Sequence, residues 1–147
     1  MRLVVQRTSG VELKIDGSLH NNTGTGLLVL VGSRTGDTEA ACTKLADKVV
    51  NLRIFEDDQG KMNLSALDVG AEIMIVSQFT LYADTKKGRR PAFTNAMEPI
   101  EAEKLYDLFV QRVKESGLTV GTGVFGAVMD VKFNNLGPVT IIVDHDA

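Results

Sequence analysis

The sequence predicts a single α/β domain in which a mixed β-sheet of six to seven strands packs against two main helices. The chain has 147 residues, the length of one ordinary domain, and no linker, repeat or low-complexity stretch divides residues 1–147. Short apolar runs with a period of two alternate with two longer stretches whose apolar residues recur every three to four positions. The elements follow in the order β-β-β-α-β-α-β-β, which is typical of a sheet with helices packed on it.

Three strands are predicted before the first helix. Residues 1–7 alternate and form the first strand. Val11, Leu13 and Ile15 alternate with charged residues, which indicates a half-buried second strand that ends at a turn. A polar, glycine-rich loop containing His20 follows. The run Gly26–Gly32 is apolar throughout, which favours a third strand buried on both faces.

Two amphipathic helices are predicted in the middle of the chain. The first starts at Gly36-Asp37, with Asp37 or Thr38 as N-cap, and the second has Pro99 at N1 and Gly117 at C′. Their apolar faces consist of Ala41, Leu45, Val49 and Leu52 in the first helix and Leu105, Leu108, Phe109 and Val113 in the second.

The remaining segments complete the predicted sheet. Residues 53–66 are polar and irregular and suit a small hairpin, and residues 71–81 form a strand between the two helices. Residues 127–133 and 139–143 form the two closing strands.

Composition narrows the functional classes. The net charge is −3, so a nucleic-acid partner would have to be held by a local basic patch. The chain contains no apolar run near 18 residues, and the alternating N-terminus reads as a strand, so neither a membrane partner nor a signal peptide is expected. The single cysteine, Cys42, cannot form an internal disulfide, which favours a cytoplasmic location.

The string Gly121–Gly126 matches the G-x-G-x-x-G dinucleotide fingerprint, but its context argues against a nucleotide-cofactor oxidoreductase. That motif needs a strand before it and a helix after it. Here a period-two segment follows, and the chain then has no room for a crossover helix. These glycines are therefore expected to allow close backbone packing beside a cavity.

The sequence offers no obvious imidazole base, thiol nucleophile or metal site. His20 and His145 lie in no Ser/His or metal-ligand arrangement and are expected at the surface, and Cys42 falls on the apolar side of the first helix, where it is expected to be a small buried hydrophobe. Neither a metal nor a cofactor is predicted.

Two segments carry most of the functional information. Ser77-Gln78-Phe79-Thr80-Leu81 closes a strand, and Asn135-Leu136-Gly137-Pro138-Val139-Thr140 contains a Gly-Pro step. Three further segments accompany them: residues 1–7, the basic stretch 87–93 and residues 122–129. All five segments, taken in their order along the chain, resemble those of the D-aminoacyl-tRNA deacylases, which hydrolyse D-amino acids from mischarged tRNA. The match runs from residue 1 to about residue 143.

The resemblance implies a homodimer with active sites at the interface, each with Ser77, Gln78, Phe79 and Thr80 as its catalytic segment. The ester to be cleaved is activated, so hydrolysis needs mainly positioning and oxyanion donors, each supplying roughly 3–4 kcal/mol. The expected donors are Ser77 and Gln78 together with the backbone N–H groups of Phe79 and Thr80. No base is available to activate the Thr80 hydroxyl, which is expected to line the site while a tRNA ribose hydroxyl assists water. The sequence leaves open whether glycyl-tRNA is also cleaved.

The resemblance also implies a chiral selector. In that family the Gly-Pro bond is cis and its carbonyls enter the partner's site, where they exclude L-amino acids. Gly137 and Pro138 are the matching residues, and Arg7 matches the arginine that braces the motif. Phe125 and Met129 are expected in the pocket wall. The chain departs from the common pattern at Leu136, where an acidic residue often stands.

The run Lys86-Lys87-Gly88-Arg89-Arg90 places four cations in five residues, and we expect Lys86, Lys87, Arg89 and Arg90 to contact tRNA phosphates. The expected partners are therefore tRNA and a second copy of the chain, but not DNA. The alternative is a dimeric RNA-binding module that keeps the fold without catalysis. A pure RNA binder would need only the basic loop, so the two intact site segments favour the enzyme.

Overall fold

A computed structural model describes residues 1–145 and confirms the predicted class, a single α/β domain with a mixed sheet. Within these residues the chain forms eight strands, three α-helices and one 3-10 helix. In chain order they are β1 (Arg2–Ile15), β2 (Ser18–Thr23), β3 (Gly26–Gly32), α1 (Glu39–Asn51), β4 (Phe55–Glu56), β5 (Met62–Leu64), α2 (Ala66–Val69), β6 (Glu72–Ser77), the 3-10 helix (Phe79–Tyr82), α3 (Pro99–Lys114), β7 (Val120–Thr122) and β8 (Asp130–Asp144).

The main sheet has six strands in the order β2-β1-β3-β6-β7, with β8 paired to β1. The strands β3, β6 and β7 run parallel, because α1 and α3 lie in the crossovers that join them. The pairs of β1 with β2, β3 and β8 are antiparallel. The sheet curls towards a barrel, since the Asn21 amide on β2 donates to the Thr122 carbonyl on β7 at 3.2 Å.

Two hydrophobic clusters lie on opposite faces of this sheet. The larger one packs α1 and α3 against Leu27 and Val29 of β3, and the smaller one lies inside the curl around Leu28, Leu13 and Met74. β3 is thus buried on both faces, as its continuous apolar run predicts. The C-terminal ends of the parallel strands lie beneath α3, which positions the candidate site.

The first two predicted strands are a single strand. Thr8-Ser9-Gly10 interrupts the apolar pattern, yet β1 runs through it, because the buried Thr8 hydroxyl donates to the Gly10 carbonyl at 2.8 Å while β1 shifts register against β8. His20 lies on β2, so the prediction of a loop there was wrong.

The two closing strands are likewise one strand, β8, and the break predicted between residues 133 and 139 is a bulge. Gln6 pairs with Thr140 and Thr8 with Asn135, so residues 136–139 face only Arg7. The Asn135 side chain closes the bulge: its oxygen accepts from the Val139 N–H at 2.6 Å and its amide donates to the Thr140 hydroxyl at 2.8 Å.

The helices start close to their predicted positions. Thr38 is the N-cap of α1 but makes no side-chain cap bond. Buried Asp37 instead accepts from the Arg34 N–H at 2.7 Å and from the ammonium group of Met1. α3 begins at Pro99 as predicted, and the hairpin expected within residues 53–66 is β4–β5.

The short helix α2 was not predicted; it begins at a capping box formed by Ser65 and Asp68. None of the helices in residues 1–145 has the length and apolar character needed to cross a bilayer.

Candidate active site

A cavity of about 270 Å³ opens at the C-terminal ends of the parallel strands β3 and β6. This is the edge of an α/β sheet at which ligands generally bind. The predicted residues Ser77, Gln78 and Phe79 line it, as do Phe125 and Met129 from the loop before β8; Thr80 lies one residue beyond. The remaining lining residues are Val31, Ser33, Val76, Ala102, Tyr106, Gly126, Ala127 and Val131.

The Ser77–Thr80 segment turns sharply where β6 ends. The Gln78 N–H donates to the Val31 carbonyl at 2.7 Å, so this N–H is committed to the sheet. Phe79 and Thr80 open the 3-10 helix, where the first N–H groups have no acceptor within the helix. These two N–H groups are therefore available to a ligand at the mouth of the cavity.

The Thr80 hydroxyl accepts a short hydrogen bond from the Gln78 side-chain amide, its only side-chain partner within residues 1–145. An amide does not take up a proton, so this contact orients the hydroxyl without activating it as a nucleophile.

Tyr106 on α3 forms part of the cavity wall that sequence reasoning missed. Its hydroxyl donates to the Ile75 carbonyl at 2.8 Å, and its ring centroid lies 6.0 Å from that of Phe125. Burial raises the pKa of Tyr106 well above its usual value, so it stays a neutral donor. The sequence did hold a signal for this role of Tyr106, because the residue lies on α3 between Leu105 and Phe109 of the predicted apolar stripe.

The glycine string before Phe125 packs closely, as predicted. A Cβ at Gly121 would lie 2.9 Å from Cγ2 of Thr23, and one at Gly123 would overlap the Met129 sulfur. The loop after β7 leads into β8 without a helix, so the glycine string lacks the helix N-terminus on which a dinucleotide fingerprint depends.

The Gly137-Pro138 peptide bond is cis and lies exposed on the β8 bulge. Arg7 supports this bulge: its Nε donates to the Leu136 carbonyl at 3.1 Å, and its Nη1 donates to the Ile54 carbonyl at 2.8 Å. The contact uses the backbone of Leu136, so the unusual side chain at this position does not enter it.

The bulge and the cavity are far apart in one protomer. The Gly-Pro bulge faces Arg7, which pairs with Leu27 near the start of β3, whereas Ser77 pairs with Val31 near its end. Four residues along β3 separate the level of the bulge from the level of Ser77, which corresponds to about 13 Å. Perpendicular to the strands, three strand spacings from β8 to β6 add about 14 Å. A site that uses both features therefore needs a second copy of the chain.

The basic loop is closed at its neck and held against the catalytic segment. Asp84 and Ala92 exchange backbone hydrogen bonds at 2.7 and 2.9 Å, and the Phe93 ring packs edge-to-face on Phe79, with centroids 4.9 Å apart. All four cations of the loop are exposed and, in the described part of the chain, have no acidic side chain as an ion-pair partner. Phe93 thus attaches the loop that carries the cations to Phe79, a residue of the cavity wall.

The remaining reactive groups lie outside the cavity lining. Cys42 is buried as predicted, and burial raises the pKa of its thiol to about 11, which keeps it protonated. His20 is exposed as predicted, but His145 is half-buried with an unpartnered Nδ1 within residues 1–145. Among those residues no His/Cys/Asp/Glu cluster has metal-binding geometry.

Comparison with known proteins places the chain in one family. A sequence model of the family described as D-Tyr-tRNA(Tyr) deacylase matches residues 4–144. A protein of Halothermothrix orenii named D-aminoacyl-tRNA deacylase is 56% identical over 146 residues, covering 99% of this chain and 98% of its own. One of Aquifex aeolicus with the same name is 54% identical over 144 residues, covering 98% and 97%.

Two solved structures share the fold. One, named c-Myc DNA Unwinding Element Binding Protein, superposes with a TM-score of 0.93 at 37% identity over 100% of both chains. A probable eukaryotic D-amino acid tRNA deacylase superposes with a TM-score of 0.86 at 19% identity over 98% of both chains, which shows a common fold.

Proposed function

The chain belongs to the D-Tyr-tRNA(Tyr) deacylase family, and on this basis we propose how it acts on its substrate. It is a D-aminoacyl-tRNA deacylase, an enzyme that hydrolyses the ester between a D-amino acid and tRNA. The turn formed by Ser77–Thr80 at the mouth of the cavity is the observation that locates the proposed active site.

The chemistry rests on backbone donors. The Phe79 and Thr80 N–H groups, with Ser77 beside them, stabilise the oxyanion that forms when the ester carbonyl is attacked. Water is the nucleophile, because the only side-chain partner of the Thr80 hydroxyl in residues 1–145 is the Gln78 amide, which is not a base. The neighbouring ribose hydroxyl of the substrate orients this water.

Chirality is read by Gly137-Pro138 of a second protomer. The separation of bulge and cavity within one chain, together with the exposure of the bulge, supports a homodimer in which each bulge enters the partner's cavity. A backbone wall discriminates at Cα whatever side chain the amino acid carries, whereas a hydrophobic pocket resolves small differences by only about 1–3 kcal/mol. Arg7 holds this wall in place through the Leu136 carbonyl.

The basic loop is proposed to hold the phosphates of the tRNA acceptor end, in the cytoplasm where tRNA is charged. Lys86, Lys87, Arg89 and Arg90 are exposed, and the Phe79–Phe93 contact ties their loop to the catalytic segment. One solved relative is named as a DNA-element binder, so duplex DNA is the appropriate competitor. We expect tRNA binding to survive a comparable concentration of duplex DNA.

The test is hydrolysis of D-tyrosyl-tRNA and L-tyrosyl-tRNA by the purified protein, with free tyrosine as the readout. We expect multiple turnovers of the D form and none of the L form above the spontaneous rate. Binding of both forms without turnover would support the non-catalytic RNA-binding module instead.

A further inference from the structure

Of the six phenylalanines and two tyrosines in the sequence, only Phe79 and Phe93 are exposed within residues 1–145, and these two rings touch. Phe79 is 57% exposed and Phe93 37% exposed, and their ring planes meet at 63°. Apolar surface is unfavourable in water, so a ligand that covers both rings gains free energy from their burial.

The two rings lie between the cavity and the basic loop. Phe79 lines the cavity, whereas Phe93 does not; it directly follows Ala92, whose backbone closes the loop that carries the four cations. A chain that leaves the cavity across Phe79 therefore reaches Phe93 next and the cations after it.

We infer that this pair is a stacking platform for unpaired bases of the tRNA 3′ end, with Phe93 carrying the base that precedes the esterified nucleotide. The inference rests on the proposed function. Proteins hold single-stranded RNA by stacking bases on aromatic rings while cations follow the backbone. Here the two rings touch each other, and the loop that carries the cations joins directly to Phe93.

A second copy of the chain is a poorer occupant of this surface. A two-fold contact brings the same patch of both protomers together, so an interface centred on these rings would bring the two basic loops towards each other. Four cations on each side favour a polyanion over a like-charged surface.

The experiment compares Phe93→Ala, Phe93→Tyr and the control Met62→Ala in the full-length protein. Met62 is also an exposed apolar side chain, 55% accessible, but it lies on β5 and does not line the cavity. The probe is uncharged tRNA with a fluorescent cytosine analogue at the penultimate position. The readouts are its fluorescence, its Kd at several salt concentrations and the oligomeric state of each variant.

We expect Phe93→Ala to weaken tRNA binding about tenfold and to abolish the fluorescence quench seen with the unchanged protein, while Phe93→Tyr stays within about twofold. Met62→Ala should bind as the unchanged protein does. The slope of log Kd against log salt should be the same for all three variants, because stacking releases no counterions.

Three results would overturn the inference. The first is unchanged tRNA binding by Phe93→Ala. The second is a shallower salt slope in that variant, which would mean that Phe93 only holds the basic loop in place, and the third is a changed oligomeric state of Phe93→Ala with tRNA binding retained. Turnover of D-tyrosyl-tRNA by the unchanged protein is measured separately, and its failure would contradict the proposed function.

Discussion

Residue 137 has a backbone conformation that favours glycine. Its φ is +134°, and a Cβ there would lie 2.8 Å from Cγ2 of Val139 and 3.1 Å from the Val139 nitrogen. A non-glycine residue held at positive φ costs on the order of 1–3 kcal/mol, and the two nearest atoms, Cγ2 and the nitrogen of Val139, belong to the bulge itself. An added methyl group therefore has to displace the Gly-Pro bulge itself.

Gly137→Ala should lower kcat/KM for D-tyrosyl-tRNA by about tenfold or more, because about 1.4 kcal/mol of misplacement at the transition state has that effect. The control is Gly17→Ala in the β1–β2 turn, which also has positive φ (+76°) but open space where the Cβ would lie. Steady-state kinetics and thermal melting of both variants check this. A comparable loss of activity in Gly17→Ala would show that destabilisation, not the selector, accounts for the effect.

Single residues show how far the sequence could specify the site. All five pocket and catalytic residues predicted besides Thr80 line the cavity; they are Ser77, Gln78, Phe79, Phe125 and Met129. The Phe79 and Thr80 N–H groups, expected as donors, have no acceptor within the 3-10 helix. The sequence could not show that the Gln78 N–H donates to the Val31 carbonyl, because this bond depends on the pairing of β6 with β3.

At the scale of elements, the basic loop is the segment whose role follows most directly from its chemistry. Its neck is fixed by the Asp84–Ala92 backbone pair, so side chains beyond the neck can be changed without disturbing the cavity. Each cation that contacts a phosphate releases bound counterions and steepens the salt dependence of binding.

Replacing Lys87, Arg89 and Arg90 together with Ala should weaken tRNA binding and flatten its salt dependence by up to about three in the slope of log Kd against log salt. The matched control replaces Lys44, Lys48 and Lys61, which are exposed and lie outside the cavity lining. Filter binding over a salt series measures both slopes. Equal slopes in the two triple variants would assign the loop to ordinary solvated surface.

The strands show where local patterns stop being informative. The polar Thr8-Ser9-Gly10 and the Gly-Pro step both read as breaks, yet β1 and β8 run through them. The two strands continue because they pair with each other, and β1 stays paired to β8 on both sides of the Leu136–Val139 bulge. Pairing between strands that lie at opposite ends of the chain has no local signature. The two long helices α1 and α3 carry their own apolar periodicity, and their starts were predicted closely.

For the whole molecule, the central feature is that the cavity and the Gly-Pro bulge lie at opposite ends of β3, three strands apart. Neither feature alone explains a chirally selective deacylase. The proposed two-fold dimer would resolve this separation, since a closed dimer repeats the same contact twice and gives two equivalent sites.

The most direct test is complementation between two variants that damage different halves of the site. Ala102→Trp fills the cavity, because Ala102 lies in its wall on α3, and Gly137→Ala displaces the bulge. The two chains are given different affinity tags, co-expressed and purified as the mixed dimer. If the site is shared, the mixed dimer contains one intact site and turns over D-tyrosyl-tRNA at about half the unchanged rate, although each variant alone is nearly inactive. A mixed dimer as inactive as its parents would contradict the account, because it would place cavity and selector in the same chain.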